Sequence, residues 1–214
     1  MDNCTYIDAD IFFYSSPKVL FDEMGDKSIL ITEHRYSPQY NKELKSGKYC
    51  VQFVTFKNDD RALKALKWWR DRCIEWCYNR FEGVHVMQNL GGGLAAWNIQ
   101  QYSFKYVDRD LIGTEINSGK QFNAVFYHFH YLRFFNNDQI ELGRRTLNKN
   151  VLDTFYKPYI EYLEGIKSEI AKLDSSFNPN GATQKPSDWK TPLLYIYRKL
   201  TGVYNIFNKS DFIK

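Results

Sequence analysis

Cysteine is scarce in this sequence, with four residues in 214, at positions 4, 50, 73 and 77. That number is too small for the disulfide frameworks that hold small secreted domains together. The sequence also has no apolar run of the roughly 20 residues that a membrane-spanning helix needs. Its first residues lack the basic segment followed by an apolar one that marks a secretory signal. We therefore expect a cytoplasmic protein with reduced thiols.

Positive and negative charges are nearly balanced over most of the chain. Lysine and arginine number 29, aspartate and glutamate 25, and the net charge is +4. Residues 189–214 hold five basic residues and one acidic residue, so this tail carries the whole surplus and the body is close to neutral. A neutral body argues against nucleic-acid binding, in which clustered lysines and arginines neutralise phosphates.

Hydrophobic and aromatic residues, in contrast, are abundant. They make up 43% and 17% of the chain, which excludes a disordered protein. At roughly 150 residues per domain, the length predicts one full domain with an appendage. A chain of this length can bury a sizeable core.

Strands and helices are predicted to alternate over residues 1–173, which is typical of an α/β layer fold. The strands are predicted over residues 5–14, 28–32, 49–56, 84–87, 99–106 and 124–135. The helices are predicted from Ser16 to Met24, from a cap at Asn58 to Trp76, and over 151–173 with a bend at Pro158. Residues 174–188 are polar and read as a linker, and residues 189–214 as an amphipathic, basic tail helix.

The Asp8-Ala9-Asp10 segment is the sharpest local signal. In a strand, residues two apart point to the same face, so both carboxylates are expected to converge on one spot. Two carboxylates so close repel each other unless a cation lies between them, and magnesium or manganese accepts such oxygen ligands. The alternative is a solvated acidic turn at the end of a strand.

A second signal is His128-Phe129-His130. On one strand, both imidazoles would share a face, and imidazole is a good ligand for transition metals. The alternative is a pair of hydrogen-bonded histidines on a half-buried strand.

Two loops are weaker candidates. Gly91, Gly92 and Gly93 permit a close approach of the backbone to a ligand, or they form a flexible turn. His34 and Arg35 directly follow a predicted buried strand, where site residues often lie in open α/β sheets, although a capped surface turn is equally compatible.

Five segments then carry a family resemblance in a fixed order over residues 1–170. They are Tyr6–Phe13, Ile31–Arg35, residues 68–77, Gly91–Asn98 and Phe126–His130. Together they resemble the nucleotide-diphospho-sugar transferases with the A-type glycosyltransferase fold. The resemblance implies a Rossmann-like mixed sheet flanked by helices. It also implies transfer of a sugar from a nucleotide-diphospho-sugar to a glycan or lipid-linked acceptor, as in polysaccharide biosynthesis.

The resemblance also implies roles for individual residues. Asp8 and Asp10 would hold manganese or magnesium against the donor diphosphate, with His128 as the third ligand and His130 as its alternate. The substrate-binding positions would be Ala9, His34, Arg35, Gly91, Gly92, Gly93, Trp97 and Asn98.

Two departures from the family pattern lead to a second hypothesis. Seven residues precede Asp8, in place of the family's nucleotide-binding half, and Tyr78-Asn79-Arg80 runs straight into Phe81 without the family's Gly-Asp-Gln segment. We therefore expect this chain alone to turn over poorly. The alternative is a non-catalytic remnant that serves as a structural or interaction module. Haloacid-dehalogenase-like phosphatases also use Asp-x-Asp, but with Gly-Thr after it, where this chain has Ile11 and Phe12.

The tail allows two interpretations. Its apolar residues recur at helical spacing, at Leu193, Ile196, Leu200, Val203 and Phe207, with basic residues beside them. Such a helix suits the headgroup zone of an anionic membrane. The same stripe could instead pack back on the body.

Overall fold

A computed structural model describes residues 2–72 and 81–213, and these residues form a mixed α/β fold. The strands are β1 Asn3–Ile7, β2 Ile11–Phe13, β3 Ile29–Glu33, β4 Tyr49–Lys57, β5 Val84–Val86, β6 Leu94–Ala95, β7 Tyr102–Val107, β8 Asp110–Glu115, β9 Gln121–Asn123, β10 Phe126–His128, β11 Leu132–Phe134, β12 Gln139–Leu142 and β13 Ile206–Asn208. The helices are α1 Lys18–Met24, α2 Glu43–Ser46, α3 Asp60–Arg72, α4 Lys149–Val151, α5 Lys157–Leu173 and α6 Thr191–Leu200. Cys73, Trp76 and Cys77, with the predicted end of the third helix, lie outside the described residues.

The largest sheet within the described ranges has the strand order β1-β4-β3-β5. β3 pairs in parallel with β5, and the other pairs are antiparallel. Leu30 and Phe53 belong to a cluster with Leu20 of α1, while Ile31 belongs to another with Ala62 of α3. Alternate residues of β3 thus pack into different clusters, which confirms the predicted strand covered on both faces.

The strand predicted over residues 5–14 is wrong as one element. β1 ends at Ile7, and Asp8-Ala9-Asp10 is a turn after which β2 joins a different sheet, β2-β10-β6. Aspartate is unfavourable in strands and favours turns, so the acidic pair breaks the apolar run that suggested one continuous strand. The same-face strand argument for Asp8 and Asp10 therefore does not hold.

The strand predicted over residues 124–135 is also divided. β10 ends at His128, and β11 begins at Leu132 and pairs with β12 in a third sheet, β11-β12-β13. Tyr131 has a φ of 70°, in the left-handed region, which cannot continue a strand. His128 and His130 therefore do not share a strand face, although aromatic residues of this segment, Tyr127 and Phe129, are buried in the main core as the alternation suggests.

Three smaller differences concern element ends. Residues 99–101 form a 3₁₀ turn ahead of β7. Asp59, next to the predicted cap at Asn58, accepts a capping hydrogen bond at α3 from the Ala62 backbone at 2.9 Å. The long helix contains a π-helical stretch over Leu152–Tyr156, and Pro158 lies in the first turn of α5, where its missing N–H is tolerated.

The tail differs most from its prediction. α6 ends at Leu200, and Gly202 follows it with a φ of 67°, in the left-handed region. Val203 N donates to Arg198 O and Gly202 N donates to Lys199 O, which is the hydrogen-bond pair of a Schellman motif. β13 then pairs antiparallel with β12. The predicted single helix over 189–214 is therefore wrong, because a glycine in the left-handed region ends it.

A buried ion pair joins α6 to the body. Arg198 Nη1 lies 2.7 Å from Glu141 Oε1 of β12, and both side chains are buried. Such a pair is costly to break from one side, because the remaining charge is left buried without a partner.

Replacing Arg198 therefore tests how α6 is held. We expect Arg198→Ala to lower the free energy of unfolding by about 3 kcal/mol, measured by urea denaturation followed by tryptophan fluorescence. Lys199→Ala, at an exposed neighbouring position, is the control and should change it by less than about 0.5 kcal/mol. Equal effects of the two variants would contradict a structural role for the pair.

Candidate metal centre

The acidic turn is held from two sheets at once. Asp8 N donates to Gln52 O of β4 at 3.1 Å, and Asp10 O accepts from Phe129 N, just after β10, at 2.8 Å. Ala9 is exposed at the tip of the turn, between the two half-buried carboxylates. The backbone thus carries both aspartates to the end of the strand that bears His128.

His128 lies against both carboxylates. Its Nε2 is 3.1 Å from Asp10 Oδ1 and 3.7 Å from Asp8 Oδ2. The imidazole is buried, while the carboxylates remain partly accessible. Asp8 also accepts a hydrogen bond from the Tyr6 hydroxyl at 2.8 Å, which raises the pKa of that tyrosine.

Gln52 sets the orientation of His128. Its Oε1 lies 2.8 Å from His128 Nδ1, so Nδ1–H donates to the amide oxygen and Nε2 faces the carboxylates. Gln52 is fully buried in the middle of β4. This second partner of an imidazole is the feature that usually fixes the tautomer of a metal-ligating histidine.

His130 completes the group from the turn after β10. Its ring centre is 5.5 Å from that of His128, and the possible ligand atoms of Asp10, His128 and His130 all lie within 4.8 Å of one another. Trp97 packs edge-on against both imidazoles, at 5.3 and 5.6 Å between ring centres. We refer to Asp8, Asp10, His128 and His130 as the Asp–His cluster.

Electrostatics favours the ionised carboxylate of Asp10 and the neutral imidazole of His130. Burial alone raises the pKa of Asp10, but the hydrogen bond and charge of His128 more than offset it, and the net pKa lies below its usual value. Burial, followed by the charge of His128, lowers the pKa of His130. Near pH 7, Asp10 therefore carries its charge and His130 keeps a free lone pair.

These donors fit a divalent cation of intermediate hardness. Ligand bonds of about 2.1 Å keep the ligand atoms around one ion within roughly 4.2 Å of each other, so the 4.8 Å spread needs only a small side-chain movement. Carboxylate oxygens suit magnesium and manganese, and imidazole adds preference for a transition ion. The two aspartates supply the negative charge that such an ion requires.

Several sequence-predicted substrate positions lie beside the cluster. Trp97 Nε1 donates to His34 O at 2.9 Å, and Asn98 Nδ2 donates to the same carbonyl at 2.8 Å and to Gly93 O at 2.9 Å. The His34 ring lies edge-on to Trp97, and burial lowers its pKa. The polar groups of Trp97 and Asn98 thus serve to join the loop after β3 to the glycine loop.

The glycine loop is buried and tightly packed, so it is not a flexible turn. A Cβ on Gly91 would lie 1.9 Å from Asn123 O, and one on Gly92 would lie 2.3 Å from Met87 Sδ. Gly93 has a φ of 93°, and its Cβ would lie 2.8 Å from Gln52 Nε2. A backbone contact requires glycine at position 91, the left-handed backbone favours it at position 93, and a Cβ at position 92 would displace the buried side chain of Met87.

Arg35 holds this loop in place. Its Nη1 donates to Asn89 O at 2.9 Å, and its Nη2 donates to Gly92 O. Its own backbone is in the left-handed region, with a φ of 48°. The guanidinium therefore positions the loop next to Gln52.

Gln52 is the functional residue that sequence reasoning missed. The signal was present, because a lone amide in the middle of the apolar run Tyr49–Phe56 is unusual for a strand buried on both faces. A buried amide at such a place needs a hydrogen-bond partner, and His128 is that partner.

Comparison with known proteins gives two relatives. No protein-family model matches the chain. Similar to it are the uncharacterized protein YfnF of Bacillus subtilis (strain 168), 28% identical over 203 residues, and the uncharacterized protein YfnD of the same organism, 26% identical over 204. The matches cover 83% of this chain but 65% and 64% of the relatives, which is less than two thirds of their length.

The electrostatic coupling at the cluster can be measured without metal. In His128→Phe, Asp10 loses the hydrogen bond and the charge that lower its pKa, so we expect the pKa of Asp10 to rise. The measurement is the pH dependence of the carboxyl ¹³C chemical shift of Asp10. Asp174, whose pKa a surface hydrogen bond from Ser176 lowers, is an internal control and should not change. An unchanged Asp10 titration in the variant would contradict the coupling.

Proposed function

We propose that the chain is the metal-binding part of a nucleotide-sugar-dependent glycosyltransferase. Asp8, Asp10, His128 and His130 would hold manganese or magnesium, and with it the diphosphate of the donor. The single observation that supports this most strongly is the meeting of the acidic turn with His128, two motifs that lie more than a hundred residues apart in the sequence. The same two motifs carry the resemblance to the A-type glycosyltransferase fold, which we propose in place of the general α/β description.

The role of the ion would be to neutralise charge on the leaving nucleoside diphosphate. The protein's own residues prepare its site. Asp8 and Asp10 supply negative charge, and Gln52 aims His128 Nε2 at the same point. Trp97 packs edge-on against both imidazoles and so limits the orientations of their rings.

The neighbouring loops would form the sugar site. Because the side chains of Arg35 and Asn98 are engaged in holding loops, we assign them a positioning role. One face of the His34 ring is stacked on Tyr36, and Trp97 is buried. The accessible part of the His34–Tyr36 stack is therefore the aromatic surface that we assign to the donor sugar, since apolar C–H faces of sugars pack on aromatic rings as other apolar groups do. Ala9 leaves the tip of the acidic turn open to the donor.

Manganese titration tests the proposal directly. We expect calorimetry to give one site in the wild type, and binding too weak to detect in Asp10→Asn and His128→Phe. Gln52→Leu should weaken binding by about 10- to 100-fold, because it removes only the orienting partner. Asp22→Asn is the control, since Asp22 is an exposed carboxylate paired with Lys18 outside the cluster.

The second step adds a nucleoside diphosphate. Binding of uridine or guanosine diphosphate only in the presence of manganese, and its loss in Asp10→Asn, would support the transferase. The competing hypothesis is a non-catalytic structural or interaction module. It expects unchanged manganese binding in Asp10→Asn, or none in the wild type, and either result would overturn the proposal.

We also propose that α6 contacts an anionic membrane surface from one side. Its apolar residues are exposed, with 64% of Leu193, 55% of Ile196 and 83% of Leu200 accessible. Lys199 on this helix and Lys190, which immediately precedes it, are exposed and complement the charge of anionic headgroups. Among the described residues, none of the helices combines the length and apolar character needed to cross a bilayer, so the proposed contact is peripheral.

Co-sedimentation with vesicles of phosphatidylglycerol and phosphatidylcholine tests this contact. We expect Leu193→Ser with Leu200→Ser to weaken binding by about tenfold or more, because two leucine side chains lose their burial in the acyl region. Leu173→Ser, at an equally exposed leucine that ends α5, is the control. Equal vesicle binding by the double variant and the wild type would contradict the proposed membrane contact. Point variants are needed because a truncation would remove β13 from its sheet.

A further inference from the structure

A cavity of about 350 Å³ adjoins the Asp–His cluster. Its lining includes His130 of the cluster and Trp97, which packs against both imidazoles. Its other walls come from the loop before α2, the turn after β10 and the loop after β12. We refer to it as the basic cavity, because four of its lining residues are cations: Lys42, Arg133, Arg144 and Arg145. Neither the metal ligands nor the loops proposed for the sugar use these side chains.

The positive charge of the basic cavity is not neutralised by the protein. The one carboxylate in its lining, Glu141, forms the buried pair with Arg198. Within residues 2–72 and 81–213, none of the four cations has a carboxylate at ion-pair distance; Arg145 stacks on Tyr40 and Arg133 on Tyr131 instead.

The cations also repel one another. The charge of Arg145 is the largest cause of a lowered pKa at Lys42, and it contributes to lowering the pKa of His130. An anion in the cavity would relieve this repulsion and form charge-assisted hydrogen bonds to the guanidinium groups. The cavity is therefore complementary to a group with concentrated negative charge.

The loop that carries the arginines is fixed in advance. Asn205 Nδ2, which is buried, donates to Gly143 O at 3.2 Å and to Arg145 O at 2.6 Å. The Tyr40 hydroxyl accepts from Thr146 N at 2.7 Å, and Gln100 Nε2 donates to Thr146 O at 2.9 Å. Both flanks of the arginine pair are thus held by side chains from distant parts of the chain, which lowers the entropic cost of binding.

We propose that the basic cavity binds a phosphate group of the acceptor, beside the metal-bound donor. This inference rests on the proposed function for the identity of the acceptor, and on the charge and shape of the cavity for the phosphate. Trp97 and Tyr131 offer aromatic surfaces for the sugar that bears the phosphate. The phosphate belongs either to a soluble glycosyl phosphate or to a lipid carrier, and the same four cations would recognise both.

Glucose 1-phosphate titrated by calorimetry in the presence of EDTA separates this cavity from the metal site. We expect binding by the wild type that weakens as salt is raised, and no binding of glucose. Arg144→Gln with Arg145→Gln should weaken it by about tenfold or more, because two charge-assisted bonds are lost. Lys42→Gln should also weaken the binding of glucose 1-phosphate, and because Lys42 is exposed we expect this substitution not to affect folding.

Two controls make the result specific. Lys105→Gln with Arg109→Gln removes the same charge from exposed positions outside the cavity and should bind as the wild type does. Asp22→Asn, at an exposed carboxylate of α1 outside both the cluster and the cavity, should also bind normally. Equal affinity of the Arg144/Arg145 and Lys105/Arg109 variants, or no binding by the wild type in EDTA, would overturn the inference.

The source of the phosphate is resolved by a second arm with vesicles of phosphatidylcholine containing phosphatidic acid. Because α6 is proposed to bind any anionic surface, the comparison is with phosphatidylglycerol vesicles of the same charge. A loss of binding in the Arg144/Arg145 variant that is larger with phosphatidic acid than with phosphatidylglycerol supports a lipid-borne phosphate. Binding of glucose 1-phosphate alone supports a soluble acceptor. If phosphate binds in EDTA but manganese never binds, the proposed transferase fails while the basic cavity remains a phosphate site.

Discussion

Two backbone hydrogen bonds hold the molecule's acidic turn, and the candidate site depends on them. One joins Asp8 N to Gln52 O in the four-stranded sheet, and the other joins Asp10 O to Phe129 N beside β10. The chain leaves one sheet and enters another between these two bonds. The carboxylates therefore lie where the two sheets meet. Their position relative to His128 is fixed by the paired strands on either side, whereas a flexible loop would leave it variable. A turn anchored on one side only would leave the carboxylates free to move apart under their mutual repulsion.

The sequence was a better guide to which side chains lie close together than to the backbone structure that brings them there. Apolar runs located β3 and β4 well, because burial on both faces leaves a strong local pattern. The Asp pair and the His pair were expected to converge through strand periodicity, yet both lie at strand ends, and tertiary pairing brings them together. The change of sheet at Asp8 and the left-handed backbone at Tyr131 are decided by distant partners, which local pattern does not record. The role of Gln52 is likewise visible only once β4 lies beside β10.

The tail shows how a correct composition can suggest a wrong boundary. Its basic and apolar residues fit one amphipathic helix, but Gly202 divides them into an exposed helix and a strand that completes a sheet. The strand half is preceded by Asn205, which holds the backbone that carries Arg145, and the helix half contributes Arg198 to the pair with Glu141. Residues that look like an appendage in the sequence thus support one wall of the basic cavity, through Glu141 and the backbone of Arg145, without lining it themselves. The positive surplus of the tail and the basic side chains of the cavity are separate sets of residues.

The tight packing of Gly91, Gly92 and Gly93 has a consequence for how relatives of this chain should be compared. Each of these glycines is favoured by the protein itself before any ligand is considered: by Asn123 O at position 91, by the buried Met87 side chain at position 92 and by the left-handed backbone at position 93. Selection on folding alone would keep them invariant, even in a descendant that had lost its chemistry. The residues that would record a loss of function are Asp8 and Asp10, since turns tolerate many polar residues at such positions. A relative that keeps the three glycines but has lost the aspartates of the acidic turn would be one that retains the fold without the metal site.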